Sequence, residues 1–344
     1  MIMGIIDKYK RARSEAYLKE TYSGAYAFVG LGQHSLSNLY PVINYLQLPL
    51  KYICVTSESK AELIGKKFRG VTGTTDLDAV LADPEVKGVF VAASPKAHFS
   101  IAQKVLQSGK ALFVEKPPVQ NGSELETLIG LNKGIAVAGF QKRYAPAVRI
   151  LKDKLAKEKL INYDLHYCTG AYPEGDALLD LYIHPLDLVC HLFGKAEIAA
   201  CERTGNDSYL LMLRHKDICG TLELSTEYSW TDAREVLKVN TGTRLYELDR
   251  MERLSLALKP TVIAGIPLEK IGLGNNGTKV LFEQNSFSPV LTQNQVYTQG
   301  FFDDPVRIVS GHFPRYDIIG GIQGIIRRRR SVVTARTVTA DDQI

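Results

Sequence analysis

Apolar positions in the first 140 residues fall into short, nearly continuous runs separated by stretches of helical spacing. Ala25-Tyr26-Ala27-Phe28-Val29, Tyr52-Ile53-Cys54-Val55 and residues 88–93, 111–114 and 136–140 read as buried strands. Residues 40–46, 60–68, 98–108 and 123–132 read as helices, and Asp76 can cap another through Leu81. Buried strands alternating with helices of about ten residues predict a parallel sheet covered on both faces. Beyond a helix near residues 146–158 the pattern changes. Strand-like segments at 163–167, 209–213, 218–224, 236–240 and 244–248 follow one another through short links, interrupted by a helical island at 180–193. That succession predicts an antiparallel sheet. The reading is an α/β chain: an N-terminal arm (1–23), a parallel-sheet domain (24–140), an α+β domain (141–330) and a tail (331–344).

The glycine turn carries the first chemistry. Val29-Gly30-Leu31-Gly32-Gln33-His34-Ser35 follows the first strand and precedes a helix. Gly30 suits the tight turn, Gly32 lets backbone approach a pyrophosphate, Ser35 fills the third small position, and the helix start offers free N–H groups. At the second strand end, Thr56, Ser57 and Lys60 replace the acid that commonly reads an NAD ribose, which favours NADP over NAD. The alternative is that Glu58 bends back to the ribose. Ser94, Pro95 and His98 follow the fourth strand, where ligands collect on such sheets; His98 lines that pocket or simply starts a helix. Glu115-Lys116-Pro117 ends the fifth strand, and the proline restricts Lys116 at the sheet edge.

These segments resemble the glucose–fructose oxidoreductase / inositol dehydrogenase (Gfo/Idh/MocA) family. The resemblance rests on Gly30-Leu31-Gly32, Ser94-Pro95 with His98, Glu115-Lys116-Pro117, Phe140-Gln141-Lys142-Arg143-Tyr144-Ala145-Pro146, and Asp180-Leu181-Tyr182-Ile183-His184, and it spans roughly residues 24–310. It implies a Rossmann domain, a C-terminal domain with a large open sheet, and NAD(P)-dependent oxidation or reduction of a sugar or cyclitol. It also implies Lys116 as the catalytic lysine, completed by Asp180 and His184, with the cofactor held by Gly30, Gly32, Gln33, His34, Ser35, Thr56, Ser57, Lys60, Ser94, Pro95, His98, Glu115 and Lys116. Arg143 and Tyr182 join Lys116, Asp180 and His184 around the substrate. Three features depart from the family pattern: Tyr182 stands where a glycine is frequent, the glycine-rich lead-in is thinned to Glu174-Gly175-Asp176, and the arm precedes the usual start. A ring at 182 could narrow the pocket or stack on a sugar face.

On an α-helix, Asp180 and His184 share a face, so the carboxylate would fix the imidazole's tautomer and raise its basicity. His184 then exchanges the proton of the substrate hydroxyl while Lys116 steadies the developing charge on oxygen. His34, His166, His215 and His312 show no such partner pattern. His184 and His191 are seven apart and no cysteine lies at ligand spacing, so no metal is expected. A competing function is a non-catalytic NAD(P)-binding sensor of the same fold; survival of lysine, aspartate and histidine favours the enzyme.

Composition narrows partners. Apolar residues form 45% and charged residues 23% of the 344, ordinary for a globular chain. The net charge of +5 owes four units to Arg327–Arg330, so nucleic acid is not an expected partner. No apolar run reaches the roughly 18 residues of a membrane helix. The five cysteines are odd in number, lack a CxxC pair and read as reduced core thiols of a cytoplasmic protein. An open sheet would expose apolar surface in a monomer, which predicts a homodimer or homotetramer through the C-terminal sheet.

Overall fold

A computed structural model of the chain describes residues 2–17, 22, 24–133, 136–271, 277–284 and 297. His312, Arg327–Arg330, the end of the second domain and the tail lie outside the described residues.

The arm contains helix α1 (Ile2–Tyr17), whose residues 4–12 are exposed. The first half then runs β1 (Ala25–Val29), a π turn (Ser35–Leu39), α2 (Tyr40–Tyr45), β2 (Leu50–Cys54), α3 (Glu58–Lys67), β3 (Thr72–Thr74), α4 (Leu77–Ala82), β4 (Val86–Val91), α5 (Pro95–Gln107), β5 (Ala111–Val114), α6 (Gly122–Leu131) and β6 (Ala136–Ala138). Its six strands order as β3-β2-β1-β4-β5-β6, all parallel. Two packed faces explain the unbroken apolar runs. Phe28, Phe90 and Phe113 stand in register on neighbouring strands, with ring centroids 6.2 and 5.9 Å apart, and pack with Ile53 and Val137 under α2 and α3. The alternate residues Val89, Val91, Leu112 and Val114 fill the opposite face.

The second half contains a 3₁₀ turn (Gln141–Tyr144), α7 (Pro146–Leu155), β7 (Asn162–Cys168), a π turn (Leu178–Tyr182), α8 (Ile183–Phe193), β8 (Glu197–Arg203), β9 (Tyr209–Arg214), β10 (Cys219–Ser225), β11 (Arg234–Asn240), β12 (Arg244–Asp249), β13 (Arg253–Leu258), β14 (Val262–Ile263), β15 (Ile266–Pro267) and β16 (Thr278–Glu283). Eight strands order as β16-β13-β12-β11-β7-β10-β9-β8. Neighbours are antiparallel except β7 and β10, which run parallel. Strict alternation marks the half-covered strands: in β9, Tyr209, Leu211 and Leu213 are buried while Leu210, Met212 and Arg214 are exposed.

Two expectations need correction. The outer sheet face is not broadly apolar: besides Leu210, Met212 and Leu245 it carries Asp164, His166, Glu223, Lys238 and Glu247. No disulfide joins the cysteines, but only Cys54 is buried; Cys219 on β10 is exposed, and Cys168, Cys190 and Cys201 are half-buried.

Candidate active site

Parallel pairing brings four sequence-predicted segments to one edge of the first sheet, beyond the carboxyl ends of β1, β2, β4 and β5. Gly30 has a φ of 88°, and a Cβ there would lie 2.6 Å from the Ala92 carbonyl oxygen, so only glycine lets β1 turn against β4. At Gly32 a Cβ would meet nothing within 4 Å, which leaves open space above the turn. Ser35 is buried and closes the turn on itself: its hydroxyl donates to the Gly32 carbonyl (2.8 Å) and accepts from the Gly32 N–H (2.9 Å). Its role is therefore to shape the loop, and Gly32's own N–H is already used. Gln33 and His34 are exposed beside it, and His34 Nε2 lies 3.4 Å from Glu115 Oε1.

After β2, Ser57 caps α3 by accepting from the Lys60 N–H at 3.2 Å, while Thr56 and Lys60 are exposed. The Glu58 carboxylate accepts from the Thr75 hydroxyl, just past the end of the neighbouring strand β3. After β4, Ser94 and Pro95 are exposed at the start of α5. His98 is not a pocket-lining side chain. It is buried, with Nδ1 2.8 Å from the Pro117 carbonyl oxygen and Nε2 2.9 Å from that of Ala93, and it ties the β4 and β5 ends together.

Lys116 follows β5, before a cis bond to Pro117. Glu115, nearly buried, accepts from the Lys116 N–H at 3.1 Å and fits against Gly139, where a Cβ would lie 2.9 Å from Oε2. The Lys116 ammonium reaches across to the second half and donates to the Asp180 carbonyl oxygen at 2.9 Å. Burial pushes it below the ordinary lysine value, against the pull of Glu115 and Asp180. His184 opens α8, buried over the Phe140 ring at 6.3 Å. Burial, then the nearby charges of Lys116 and Lys142, hold it well below the ordinary histidine value, so the ring is neutral. Its Nδ1 has no hydrogen-bond partner among the described residues.

The α-helical face expected for Asp180 and His184 is replaced. Asp180 lies in the π turn, and its carboxylate points to Tyr172 and Gly175 rather than pairing with the imidazole. Tyr182 is not at the substrate either. It is fully buried, its hydroxyl donates to the Asp207 carbonyl, and its ring meets Tyr167 and Tyr209 edge-on. Arg143 forks onto buried Asp187 (Nε to Oδ2, 2.8 Å) and lies over Phe140, so its main task is to pin α8 to the 3₁₀ turn.

Two charged residues at the site were not anticipated. Lys142 Nζ donates to Glu235 Oε2 at 2.6 Å and lies 4.8 Å from the Tyr167 ring centroid. The sequence signal was faint: Glu235 shares an inward-facing register of β11 with Leu237 and Val239, an acid on an apolar face. No group of three or more His, Cys, Asp or Glu suited to a metal ion occurs among the described residues.

Residues 25–136 match the family described as GFO_IDH_MocA, an oxidoreductase family with an NAD-binding Rossmann fold. Among curated proteins, the chain is 28% identical over 141 residues to the uncharacterized oxidoreductase YhhX of Escherichia coli, covering 37% of this chain and 41% of that protein. It is 26% identical over 146 residues to inositol 2-dehydrogenase of Acidothermus cellulolyticus, covering 39% and 43%. The match thus spans less than half the length of either relative. A dehydrogenase from Chromobacterium violaceum shares the fold, with a TM-score of 0.77 and 18% identity over 92% of this chain and 98% of that one.

Proposed function

Because the chain belongs to the Gfo/Idh/MocA oxidoreductases through the NAD-binding Rossmann fold of residues 25–136, we propose that it is an NAD(P)-dependent dehydrogenase or reductase acting on a hydroxyl-bearing carbon of a sugar, sugar derivative or cyclitol. The residues present fit a dinucleotide: the Gly30 turn, the open space at Gly32, and after β2 the Ser57 hydroxyl with the exposed Lys60 nearby in sequence and Glu58 engaged by Thr75. When bound, the nicotinamide supplies the hydride acceptor or donor. Thr56, Ser57 and Lys60 face the adenosine end and favour a 2′-phosphate, hence NADP.

The observation that carries this reading is the bridge from Lys116 Nζ to the Asp180 carbonyl, which sets an ammonium of the first half beside a neutral imidazole of the second. His184, neutral, takes the hydroxyl proton as the carbon loses hydride, and returns it in the reverse direction. Lys116 donates to the reacting oxygen and stabilises charge that is larger in the transition state than in the alcohol. Its lowered affinity for a proton also lets it relay that proton outward. Asp180 presents its carbonyl to Lys116 and its carboxylate to a substrate hydroxyl. The domain division at about residue 140 separates the cofactor half from the substrate half.

A panel of pyranoses, sugar nucleotides and inositols, each with both cofactors and read by nicotinamide absorbance, tests the proposal. Turnover of at least one supports it; cofactor binding without turnover of any returns the chain to a sensor role. We further propose a homodimer or homotetramer joined through the outer sheet face that carries Leu210, Met212 and Leu245. Light scattering at micromolar concentration that gives the mass of one chain, 38.1 kDa, would refute this assembly.

A further inference from the structure

The parallel pairing of β7 with β10 sends the segments that follow them out of the same sheet edge. Thr169 N–H donates to the Ser225 carbonyl and Tyr228 N–H to the Thr169 carbonyl, both at 2.8 Å, so the two segments stay side by side past the strand ends. On them sit Tyr172 and Trp230, the sole tryptophan of the chain. The indole is fixed in place: Nε1 donates to the Ala171 carbonyl at 2.8 Å, and the ring lies so close over Gly170 that a Cβ there would be 2.3 Å from Cδ1. The Tyr172 ring meets it at 6.3 Å between centroids and 62° between planes. Yet Trp230 remains 52% exposed. A large, immobilised and half-bare aromatic contributes less to the fold than its surface allows, and rigid rings of this kind are economical binding anchors because little entropy is lost on contact.

Their position connects them to the chemistry. The Tyr172 hydroxyl end and the Asp180 carboxylate converge on Gly175, where a Cβ would lie 2.4 Å from Asp180 Oδ2 and 3.3 Å from the Tyr172 hydroxyl. Asp180 in turn holds Lys116 through its carbonyl. Tyr172 thus borders the Asp180 carboxylate directly, and Trp230 lies against Tyr172.

We propose that Tyr172 and Trp230 form an aromatic wall of the substrate site, which stacks on the C–H face of a six-membered polyol ring and selects cyclic substrates over open-chain polyols. The inference rests on the dehydrogenase reading above and assigns its ring selectivity to these two residues. A pyranose or cyclitol chair offers an apolar face of ring C–H groups while its equatorial hydroxyls point outward to Asp180 and Lys116. An open-chain polyol has no such face and loses more conformational freedom on binding. The stacking place that the sequence offered at Tyr182 is filled instead from a loop and from a segment beyond β10.

The test uses the full chain with the oxidised cofactor bound. Indole emission is followed while myo-inositol, glucose, a uridine-diphosphate sugar and sorbitol are added, and calorimetry records binding independently. Steady-state constants are then measured for the parent, Trp230→Phe and Trp230→Ala. A ring polyol that binds should change the emission and sorbitol should not. Trp230→Ala should raise KM for the ring substrate by about tenfold with a much smaller fall in kcat, and Trp230→Phe should recover most of that loss. Emission that stays constant while a ring polyol binds, a KM unaffected by Trp230→Ala, or a response to the uridine nucleotide in place of the ring would overturn the wall. Failure of the dehydrogenase reading looks different: no substrate turns over in the parent, whatever the indole reports.

Discussion

The two sheets build their shares of the site by opposite means. At the carboxyl edge of the parallel sheet, backbone does most of the work: a left-handed glycine, a serine closed on its own turn, and strand ends that stop side by side. The eight-stranded half contributes side chains gathered from a π turn, a buried helix and loops, with Arg143 on Asp187 and Lys142 on Glu235 joining positions 44 and 93 residues apart. The first half is thus intolerant of added atoms, the second of lost functional groups. Lys116, anchored in one and bonded to the other, depends on both.

The largest effect expected in the second half is catalytic. His184→Ala should slow turnover by roughly 10²–10⁴-fold, the ordinary loss for a removed general base. Cofactor affinity, a property of the other half, should hardly change in a direct titration. In the first half a single methyl group should suffice. Gly30→Ala must take a φ of 88° and push a Cβ against the Ala92 carbonyl, so it should destabilise the fold by about 2 kcal/mol or more in urea unfolding. If Gly30→Ala unfolds at the parent midpoint, the backbone account of the first half is wrong.

That contrast also explains what the sequence disclosed. Gly30, Glu115-Lys116-Pro117 and the alternating elements were legible because each depends on neighbours within a few residues: a strand, a turn, a helix start. The role of Tyr182 was not. Its reading came from the place a glycine often holds in the family, whereas the π turn over Leu178–Tyr182 leaves the ring at 182 sunk in the core and the Asp180 carboxylate at Tyr172. His98 was ambiguous for a similar reason, since its two carbonyl partners at Ala93 and Pro117 belong to different strand ends. The Lys142–Glu235 pair exists only once the 3₁₀ turn meets β11. Strand β8, mostly exposed along its length at a sheet edge, lacks the alternation by which β9 announces itself.

Smaller effects sharpen the comparison further. The unfolded imidazole of His184 titrates near about 6.5, well above its folded value. Below about pH 6.5 the unfolded chain therefore holds more protons than the folded one. This residue's contribution to stability is complete above that pH and falls as pH drops toward the folded value, by about 1.4 kcal/mol per pH unit. His184→Gln should lack that slope when urea midpoints near pH 5 and pH 7 are compared; equal slopes in the two proteins would mean the ring is not held neutral by the fold. In the first half, Ser57→Asp keeps a good cap for α3 but sets a carboxylate where the 2′-phosphate would lie. NADPH affinity should fall by about tenfold, the weight of one partly screened charge repulsion, while NADH affinity holds or rises. Fluorescence titrations that show no preference for NADPH in the parent would remove the basis for this assignment.

Lys116 is where the two halves meet, so it bears the central claim. Single-turnover hydride transfer, followed by nicotinamide absorbance with a substrate from the panel, measures its part without interference from binding or release. Lys116→Ala should retain the fold and bind cofactor as the parent does, yet transfer hydride at least about 10²-fold more slowly, as expected for losing one donor to the developing oxyanion. Transfer at the parent rate would show that the ammonium only holds the Asp180 carbonyl, and that the chemistry lies elsewhere.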